Sequence, residues 1–311
     1  MAVFRLGLIG AGRMGRTHLR ALEDSDSVRV AAIAEASPQQ RQQLTGCAIP
    51  VHETVEAMLS AGRLDGVLIA APTNLHLGLV GRVLAHGLPV LCEKPCGSGP
   101  AEAMEAAQVA ATSGLPLQIA YWRRFVPALR QLRERIAGGA FGDVYLATCY
   151  QWDGEPPSAS FRVNSGGIFV DMGVHEFDQL RWLTDQDITR ISAAVAGVAA
   201  EPPVQGDAES AQVLCHLSRG STGFVSLGRR FPAGDVCWAQ IFGTSNAEEC
   251  RFLWPPEGES AFLQALRLQA ESFARYAGGG EREGAQAADA VAALSAACSA
   301  SQVLGSGVEG S

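Results

Sequence analysis

The sequence predicts an α/β protein of two domains, the first built on a parallel sheet covered by helices and the second on an antiparallel sheet. The length of 311 residues suits two domains of ordinary size. Up to about residue 121, short and almost continuously apolar strands alternate with helices, which is typical of a parallel sheet. Beyond that point the strands become longer and partly alternating, so we place the domain boundary between residues 1–121 and 122–311.

Strands and helices of the first domain follow one another closely. The run VFRLGLIG is a short apolar strand that ends in glycines, and MGRTHLRALED behind it is predicted as a helix. A later helix has Pro100 near its start and Gly114 at its end, the asymmetry that helices favour. Four further apolar runs complete the predicted strands of this domain: VRVAAIAE, DGVLIAAP, LPVLCEKP and LPLQIAY.

The second domain begins with a helix predicted over VPALRQLRERIAGG and continues with longer strands. A further helix, around residues 166–183, follows the first of these strands, and two Ala-rich helices near 260–277 and 285–303 close the chain. The partial alternation of apolar and polar residues predicts an antiparallel sheet. Its predicted strands are GDVYLATCYQW, ITRISAAVAG, ESAQVLCHLS, STGFVSLGRRF and CWAQIFGT.

Composition and charge exclude several classes of protein. Hydrophobic residues make up 47% and charged residues 18%, which allows a large buried core. The net charge of −8, without any Lys/Arg-rich run, argues against a nucleic-acid partner. The apolar runs are broken by Gly, Pro or charge, and no signal peptide is recognisable, so we expect no membrane span. The eight cysteines are scattered without a C-x-x-C pair, as in a cytoplasmic protein with reduced thiols.

The first predicted strand ends in a G-x-G-x-x-G motif formed by Gly10, Gly12 and Gly15. The motif alone is weak, but here it joins a strand to a helix within a βαβ unit, the context that dinucleotide binding requires. Gly10 permits the tight turn, Gly12 allows backbone N–H groups to approach a pyrophosphate, and Gly15 allows close helix packing. The free N–H groups of the helix N-terminus favour phosphate. The alternative is a plain strand-to-helix turn.

Glu35 ends the second strand and predicts which dinucleotide is bound. A carboxylate at this point accepts hydrogen bonds from both adenosine ribose hydroxyls and repels a 2′-phosphate. The residues that follow are Ala36, Ser37 and Pro38, with no arginine directly behind the carboxylate. The sequence therefore favours NAD over NADP, although a solvated loop acid remains the alternative.

Two further loops are expected at the carboxyl edge of the sheet, where open α/β folds bind ligands. Pro72, Thr73, Asn74 and His76 follow one strand, although His76 is equally well explained as a helix-start residue without a role. Glu93 and Lys94 follow the next strand. A lysine here is usually only exposed, but beside a nicotinamide it can stabilise developing alkoxide charge.

The helix in GGIFVDMGVHEFDQLRWL carries Asp171, His175 and Asp178 at i, i+4 and i+7, on one face of an α-helix. This pattern has three interpretations: a metal site, a proton relay or a solvated polar stripe. The apolar neighbours indicate a buried helix, and buried charges must be paired. Asp171 supplies such a pairing for His175, since it can fix the imidazole tautomer. No further His or Cys is near in sequence, which leaves a metal site least supported.

The motifs GLIGAGRMGRTHL, APTNLH, CEKP, YWRRF and GGIFVDMGVHEFD, in this order, resemble the Gfo/Idh/MocA oxidoreductase family, most closely its inositol 2-dehydrogenase branch. The resemblance covers essentially the whole chain. It implies an N-terminal Rossmann domain with a parallel sheet and a C-terminal α/β domain with a large, mostly antiparallel open sheet. It also implies NAD-dependent oxidation of a ring hydroxyl of a cyclic polyol or sugar, and a homodimer or homotetramer that forms through the open sheet.

The resemblance places the catalytic lysine, aspartate and histidine of the family on Lys94, Asp171 and His175. We expect His175 to take the hydroxyl proton, Asp171 to orient it and Lys94 to stabilise the oxygen, although Lys94 could be the formal base instead. A biosynthetic keto-sugar or imine reductase and a catalytically silent NAD-sensing regulator are the alternatives. Tyr150 is a further pocket residue, and the weaker substrate candidates are Arg124, Trp152, Asp153 and Asp178. Arg123 and Arg124 are equally well explained as partners of nearby carboxylates, and Asp178 is more readily explained as support for its helix. The cofactor-binding residues that we expect are Gly10, Gly12, Arg13, Met14, Gly15, Glu35, Ala71, Pro72, Thr73, Asn74, His76, Glu93, Lys94 and Arg123.

Overall fold

A computed structural model describes residues 2–197 and 207–306 of the chain. It contains two sheets and the helices that cover them. The strands are β1 (Phe4–Ile9), β2 (Val28–Ala34), β3 (Val51–His52), β4 (Gly66–Ile69), β5 (Val90–Cys92), β6 (Leu117–Ile119), β7 (Val144–Trp152), β8 (Ile188–Gly197), β9 (Ser210–Leu217), β10 (Thr222–Gly228), β11 (Val236–Gly243) and β12 (Ala247–Leu253). The helices are α1 (Arg13–Leu22), α2 (Pro38–Gln42), α3 (Val55–Ala61), α4 (His76–Ala85), α5 (Pro100–Ser113), α6 (Pro127–Ala137), α7 (Ala159–Asn164), α8 (Val174–Thr184), α9 (Gly258–Ala277) and α10 (Ala287–Ser306).

The first sheet confirms the predicted Rossmann domain. Its six strands lie in the order β3-β2-β1-β4-β5-β6, and every neighbouring pair is parallel. This order reverses between β1 and β4, and doubly wound folds bind ligands at the carboxyl ends of the strands at such a reversal. The loops after β1, β4 and β5 therefore meet at one edge of the sheet.

The core of this domain is formed by strand residues without any solvent exposure, among them Leu6, Leu8 and Leu68. They are apolar on both faces because helices cover both sides of a parallel sheet. Late in the chain, α9 adds Ala270 and Phe273 to the same cluster. The Phe273 ring packs edge-on against Phe4 with 6.0 Å between the ring centroids. This distant segment is thus part of the first domain.

The chain divides into two compact units. The first unit comprises the residues up to Phe125 together with the later segment Leu263–Val291. The second unit comprises Val126–Phe262 and the residues from Ala292 onward. The boundary predicted near residue 121 lies close to the end of the first segment. The sequence did not predict the return of 263–291, because an Ala-rich helix carries no signal for the sheet against which it packs.

The second sheet has the order β12-β11-β7-β10-β9-β8 and is antiparallel except for the β7–β10 pair. This confirms the large, mostly antiparallel sheet. All five predicted strands are present. The sixth strand, β12, was not predicted, because its sequence AEECRFL has three charged residues and only a short apolar end.

The final helix departs from the expectation that no segment is long enough to span a bilayer. Over Ala287–Gly305, α10 is long and apolar enough to do so by length and composition alone. The core helix of a soluble protein also meets these criteria of length and composition. Several α10 residues, including Ala290, Leu294 and Ala297, are completely buried. That the protein has no membrane partner stays a prediction.

Candidate active site

The glycine loop has the geometry that the motif predicts. Gly10 adopts φ +90°, and a Cβ there would lie 2.7 Å from the carbonyl oxygen of Ala70. A Cβ on Gly15 would lie only 2.1 Å from the carbonyl oxygen of Gly10, so close packing of α1 requires glycine. At Gly12, the N-cap of α1, a Cβ would meet no heavy atom of the described chain within 4 Å. This open approach to helix N–H groups fits a pyrophosphate. The predicted contacts Arg13 and Met14 form the first turn of α1.

Glu35 is buried and binds the glycine loop through its side chain. One carboxylate oxygen accepts from the Ala11 N–H at 2.6 Å, and the other accepts from the Ser37 N–H at 2.7 Å. Each oxygen has further lone pairs for ribose hydroxyls. Arg41, which the sequence did not indicate, folds back and donates to the carbonyls of Glu35 and Ala36 at 2.9 and 2.8 Å. The carboxylate nevertheless holds the position that favours NAD.

The second loop of this edge follows β4. Thr73 and Asn74 form a 3₁₀ turn that begins after Pro72 and leads into α4. His76 at the start of α4 is buried, and its Nδ1 and Nε2 lie 2.8 Å from the carbonyl oxygens of Pro95 and Ala71. Both ring nitrogens are thus bonded to backbone carbonyls. A contact of His76 with the cofactor stays a prediction.

The third loop follows β5 and contains Glu93 and Lys94. Glu93 is buried, and its Oε1 lies 2.7 Å from Nε2 of the fully buried His18 on α1. Its Oε2 accepts from the backbone N–H of Lys94 at 3.1 Å. Burial alone would raise the pKa of Glu93, but the hydrogen bond and charge of His18, together with the charge of Lys94, hold that pKa below its ordinary value. Glu93 is therefore an ionised carboxylate that is hydrogen-bonded within the protein. Its contact with the cofactor stays a prediction.

Lys94 has a sequence signal that the motif analysis missed. Among the 24 basic Lys and Arg residues of the chain, it is the only lysine. A chain that otherwise uses arginine throughout has an ammonium group at this one position. Ammonium and guanidinium are not equivalent, because only the former readily gives up a proton in a protein. The peptide bond that joins Lys94 to Pro95 is cis.

The two arginines after β6 lie in a 3₁₀ turn, Trp122–Phe125, and both are buried. The guanidinium of Arg123 lies 5.6 Å from the centroid of the Trp122 ring. Arg124 forms an ion pair of 3.2 Å with Asp289 at the start of α10. For Arg124 this favours the alternative in which it pairs with a carboxylate. Contacts of Arg123 with the cofactor and of Arg124 with the substrate stay predictions.

The segment that precedes α8 corrects the predicted helix register. Residues Phe169–Gly173 form a π-helical turn, and the α-helix begins only at Val174. Asp171 therefore lies in the π turn, and the i, i+4 spacing of an α-helix does not apply between it and His175. Such turns are rare and frequent at functional sites. His175 and Asp178 lie on α8, and both are buried, as expected.

Asp171 belongs to a buried ionic network that the sequence did not reveal. Nη1 of Arg229, which has no solvent exposure, donates to Oδ2 of Asp171 at 3.0 Å. Nε of Arg229 lies 2.8 Å from Asp207, and Arg162 pairs with the same Asp207 at 2.6 Å. Glu209 extends the network to Arg162 at 2.7 Å and to Arg230 at 3.0 Å. The members come from distant stretches of sequence, so no local pattern connects them.

Trp152 and Asp153 end β7 near this network. The Trp152 indole packs against Gly228 and donates to Ser226 at 3.2 Å. Asp153 accepts from the Gln151 amide at 2.9 Å. Burial raises the pKa of Asp153, and the negative charges of Asp235 and Asp171 act in the same direction. Tyr150, also on β7, stacks on Trp238 with ring centroids 4.3 Å apart. Tyr150 is thus used in an aromatic cluster of the sheet.

Metal ligation has no geometric support within residues 2–197 and 207–306. No group of three His, Cys, Asp or Glu side chains is arranged there to hold an ion. All eight cysteines carry free thiols. The carboxylates at the site are bound by arginines and N–H groups.

Comparisons with known proteins agree with this geometry. The family model described as oxidoreductase family, NAD-binding Rossmann fold, matches residues 4–121, and the GFO/IDH/MocA C-terminal domain matches residues 129–247. The chain is 53% identical over 304 residues to the rhizopine catabolism protein MocA of Rhizobium meliloti, across 98% of this chain and 96% of that protein.

Two further relatives carry inositol in their names. The chain is 29% identical over 245 residues to the inositol 2-dehydrogenase of Rhizobium meliloti strain 1021, across 78% of this chain and 74% of that protein. The solved scyllo-inositol dehydrogenase of Lactobacillus casei, with bound NAD(H) and scyllo-inositol, aligns with a TM-score of 0.87 at 22% identity over 98% of both chains. At that identity the likeness shows the fold.

Proposed function

The chain belongs to the GFO/IDH/MocA family of oxidoreductases, with an NAD-binding Rossmann domain, and on this premise we propose that it oxidises a ring hydroxyl of a cyclic polyol or sugar. The observation that carries the proposal is the position of Lys94. The only lysine of the chain follows β5, at the same sheet edge as the glycine loop after β1. A positive charge beside the cofactor site is suited to a developing alkoxide.

The residues of the first unit fit NAD. Gly12 offers an open approach to the N-terminus of α1, and Glu35 holds its carboxylate at the glycine loop for the adenosine ribose. Bound NAD supplies the hydride acceptor of the reaction. The inositol 2-dehydrogenase to which this chain is 29% identical supports a CH–OH substrate for this chain.

The proposed chemistry divides between three side chains. His175 takes the proton of the substrate hydroxyl, and Lys94 stabilises the negative charge that grows on the oxygen. In this proposal Asp171 orients His175, and Arg229 in turn binds the Asp171 carboxylate. His175 is buried, which limits the access of water to the proton transfer. Lys94 is the other candidate for the formal base, since either group can give up a proton.

A screen of substrates tests the proposal. Purified protein is supplied with myo-inositol, scyllo-inositol, sugars and sugar acids, each with NAD and with NADP, and formation of NADH or NADPH is followed by absorbance. We expect turnover of at least one cyclic polyol with NAD. Lys94→Ala and His175→Ala are each expected to lower kcat by about 10²–10⁴-fold. Full activity in both variants would refute the assignment.

A rhizopine is the second substrate to test. The 53% identity to a protein named for rhizopine catabolism extends over nearly the whole of both chains. If rhizopine gives a higher kcat/KM than every inositol, this chain acts on a rhizopine. If rhizopine gives no turnover while an inositol is oxidised, the substrate of this chain is an inositol.

The reverse direction and a silent regulator are the remaining alternatives. Matched ketone, imine and alcohol substrates, assayed with NADH and NAD, separate a reductase from a dehydrogenase. A regulator would bind NADH and turn over none of them.

We propose in addition that the protein is cytoplasmic and forms a homodimer or homotetramer through its second sheet, where Val195 and Leu214 are exposed. Light scattering during size-exclusion chromatography measures the oligomeric state.

A further inference from the structure

Two buried histidines from different helices hold the loop that carries Lys94. His18 from α1 binds the Glu93 carboxylate at 2.7 Å, directly before the lysine. His76 from α4 binds the Pro95 carbonyl at 2.8 Å, directly after it. Both histidines are buried, with solvent exposures of 0% for His18 and 1% for His76. The lysine backbone is thus fixed on both sides by side chains that begin on helices of the cofactor domain.

The contacts of these groups extend to the two other loops of the sheet edge. His18 lies on α1, whose N-terminus is the glycine loop, and the second ring nitrogen of His76 binds the Ala71 carbonyl of the loop after β4. Glu93 itself is fixed further, because its N–H donates to the Ile69 carbonyl and its Oε2 accepts from the Lys94 N–H. The three loops are therefore joined through two histidines and one carboxylate.

A buried ion pair is weak evidence for stability, since desolvation offsets much of the attraction. An apolar pair of similar volume would fill the same space between α1 and β5. The hydrogen bonds of the polar groups have defined directions. His76 binds the backbone carbonyl of Pro95, and His18 binds the Glu93 carboxylate, which in turn accepts from the backbone N–H of Lys94. This geometry points to orientation of the lysine as the purpose.

We propose that His18 and His76 are positioning residues for Lys94: through Glu93 and Pro95 they fix the backbone from which the ammonium group reaches the substrate. The inference rests on the catalytic role of Lys94 in the proposed function. It adds two residues that do not touch the substrate, and it links the placement of the lysine to the helix that receives the dinucleotide phosphates.

Kinetics give the first test. The variants are His18→Gln, His76→Gln and the conservative Glu93→Gln, and the matched control is His86→Gln, because His86 is exposed at the end of α4. We expect kcat to fall about tenfold to hundredfold in the His18 and His76 variants, since small misplacements of a catalytic group have effects of this size. Glu93→Gln should retain more activity than Glu93→Ala. The affinity for NADH should stay within about twofold of wild type, as in the control.

Combination with Lys94→Ala separates positioning from a general structural effect. If the histidines act through the lysine, His76→Gln lowers kcat no further once Lys94 is absent. Equal losses with and without Lys94 would overturn the proposal. Melting temperatures of all variants identify any that fail to fold, and for these the more conservative Glu93→Gln variant decides.

A readout without turnover uses the single lysine. Reductive methylation with ¹³C-formaldehyde labels only the Lys94 amine and the terminal amine. In the free protein we expect the Lys94 methyl signal to be narrower and nearer to that of free lysine in His18→Gln and His76→Gln than in wild type and His86→Gln. Unchanged signals together with unchanged kcat would refute the positioning role. Absence of turnover in wild type would refute the proposed function instead, while the signals would still test the loop.

Discussion

The guanidinium of Arg229 lies 3.0 Å from the carboxylate of Asp171 and is completely buried. It also binds Asp207, whose side chain has no solvent exposure. Asp171 is therefore held by a fixed cation from the end of β10, as well as by its place in the π turn before α8. The position of this carboxylate depends on a residue 58 positions further along the chain.

Arg229→Gln should destabilise the second unit strongly. Removing one partner of a buried ionic network costs about 3–5 kcal/mol, because Asp171 loses the guanidinium that binds it and Asp207 keeps only that of Arg162. Arg229→Lys keeps the charge but cannot span both carboxylates as the planar guanidinium does, so we expect a smaller loss of stability and a clear loss of kcat. Arg230→Gln is the matched control, since this half-exposed side chain should contribute about 0–1 kcal/mol. Urea unfolding and steady-state kinetics measure both effects; equal behaviour of the two positions would contradict the account.

Gly12→Ala should separate folding from cofactor binding. A Cβ at Gly12 meets no heavy atom of the described chain within 4 Å, so the melting temperature should stay near that of wild type. The methyl group would, however, stand where the pyrophosphate approaches the helix, and the affinity for NADH should fall at least about tenfold. Gly81→Ala on α4, where the space is equally open, is the control and should bind NADH normally. Fluorescence titration with NADH decides; normal binding by Gly12→Ala would show that the phosphates lie elsewhere.

Glu35→Gln should weaken the preference for NAD over NADP. The wild-type carboxylate repels a 2′-phosphate and accepts ribose hydroxyls, and like charges in contact cost several kcal/mol. Arg41 already lies against the carbonyl of Glu35 and offers a cation once the carboxylate is neutral. We expect the ratio of kcat/KM values for the two cofactors to shift toward NADP by about tenfold or more. An unchanged ratio would mean that Glu35 only anchors the loop.

Asp153→Asn should stabilise the protein at neutral pH. The folded-state pKa of Asp153 is raised, chiefly by burial, so its ionisation favours the unfolded state as pH rises above about 4. The neutral amide removes this effect, and the melting temperature at pH about 7 should increase by roughly 2 °C. The gain should vanish at pH about 3.5, where the wild-type carboxyl is protonated in both states. Exposed Asp26→Asn is the control, and a gain that does not depend on pH would exclude this explanation.

Much of the fold was predictable because its signals are local. The strand VFRLGLIG, the three glycines and Glu35 lie within one βαβ unit, and together they predicted dinucleotide binding, while the family resemblance implied the Rossmann domain. Strand β12 and the return of 263–291 to the first unit were not predictable. In AEECRFL the three charged residues obscure the alternation of apolar and polar side chains by which a strand is recognised. An Ala-rich helix does not specify the sheet against which it packs.

The candidate site was predictable residue by residue but not in its contacts. Lys94, Asp171 and His175 came from a family resemblance, whereas Arg229, Asp207 and Arg162 join Asp171 only after folding. His76 and Glu93 were expected at the cofactor, yet their polar atoms bind the protein itself. An accessible signal was overlooked, namely that Lys94 is the only lysine of the chain.

The most direct test of the account follows the hydrogen that is transferred. Wild-type protein is incubated with NAD and the best cyclic polyol of the screen, deuterated at its ring carbons, and the NADH formed is analysed by mass spectrometry. We predict NADH that carries one deuterium from the ring, formed by wild type and by the His86→Gln control but not at a comparable rate by Lys94→Ala. NADH without deuterium, or equally fast transfer by Lys94→Ala, would contradict the proposed hydride transfer at this site.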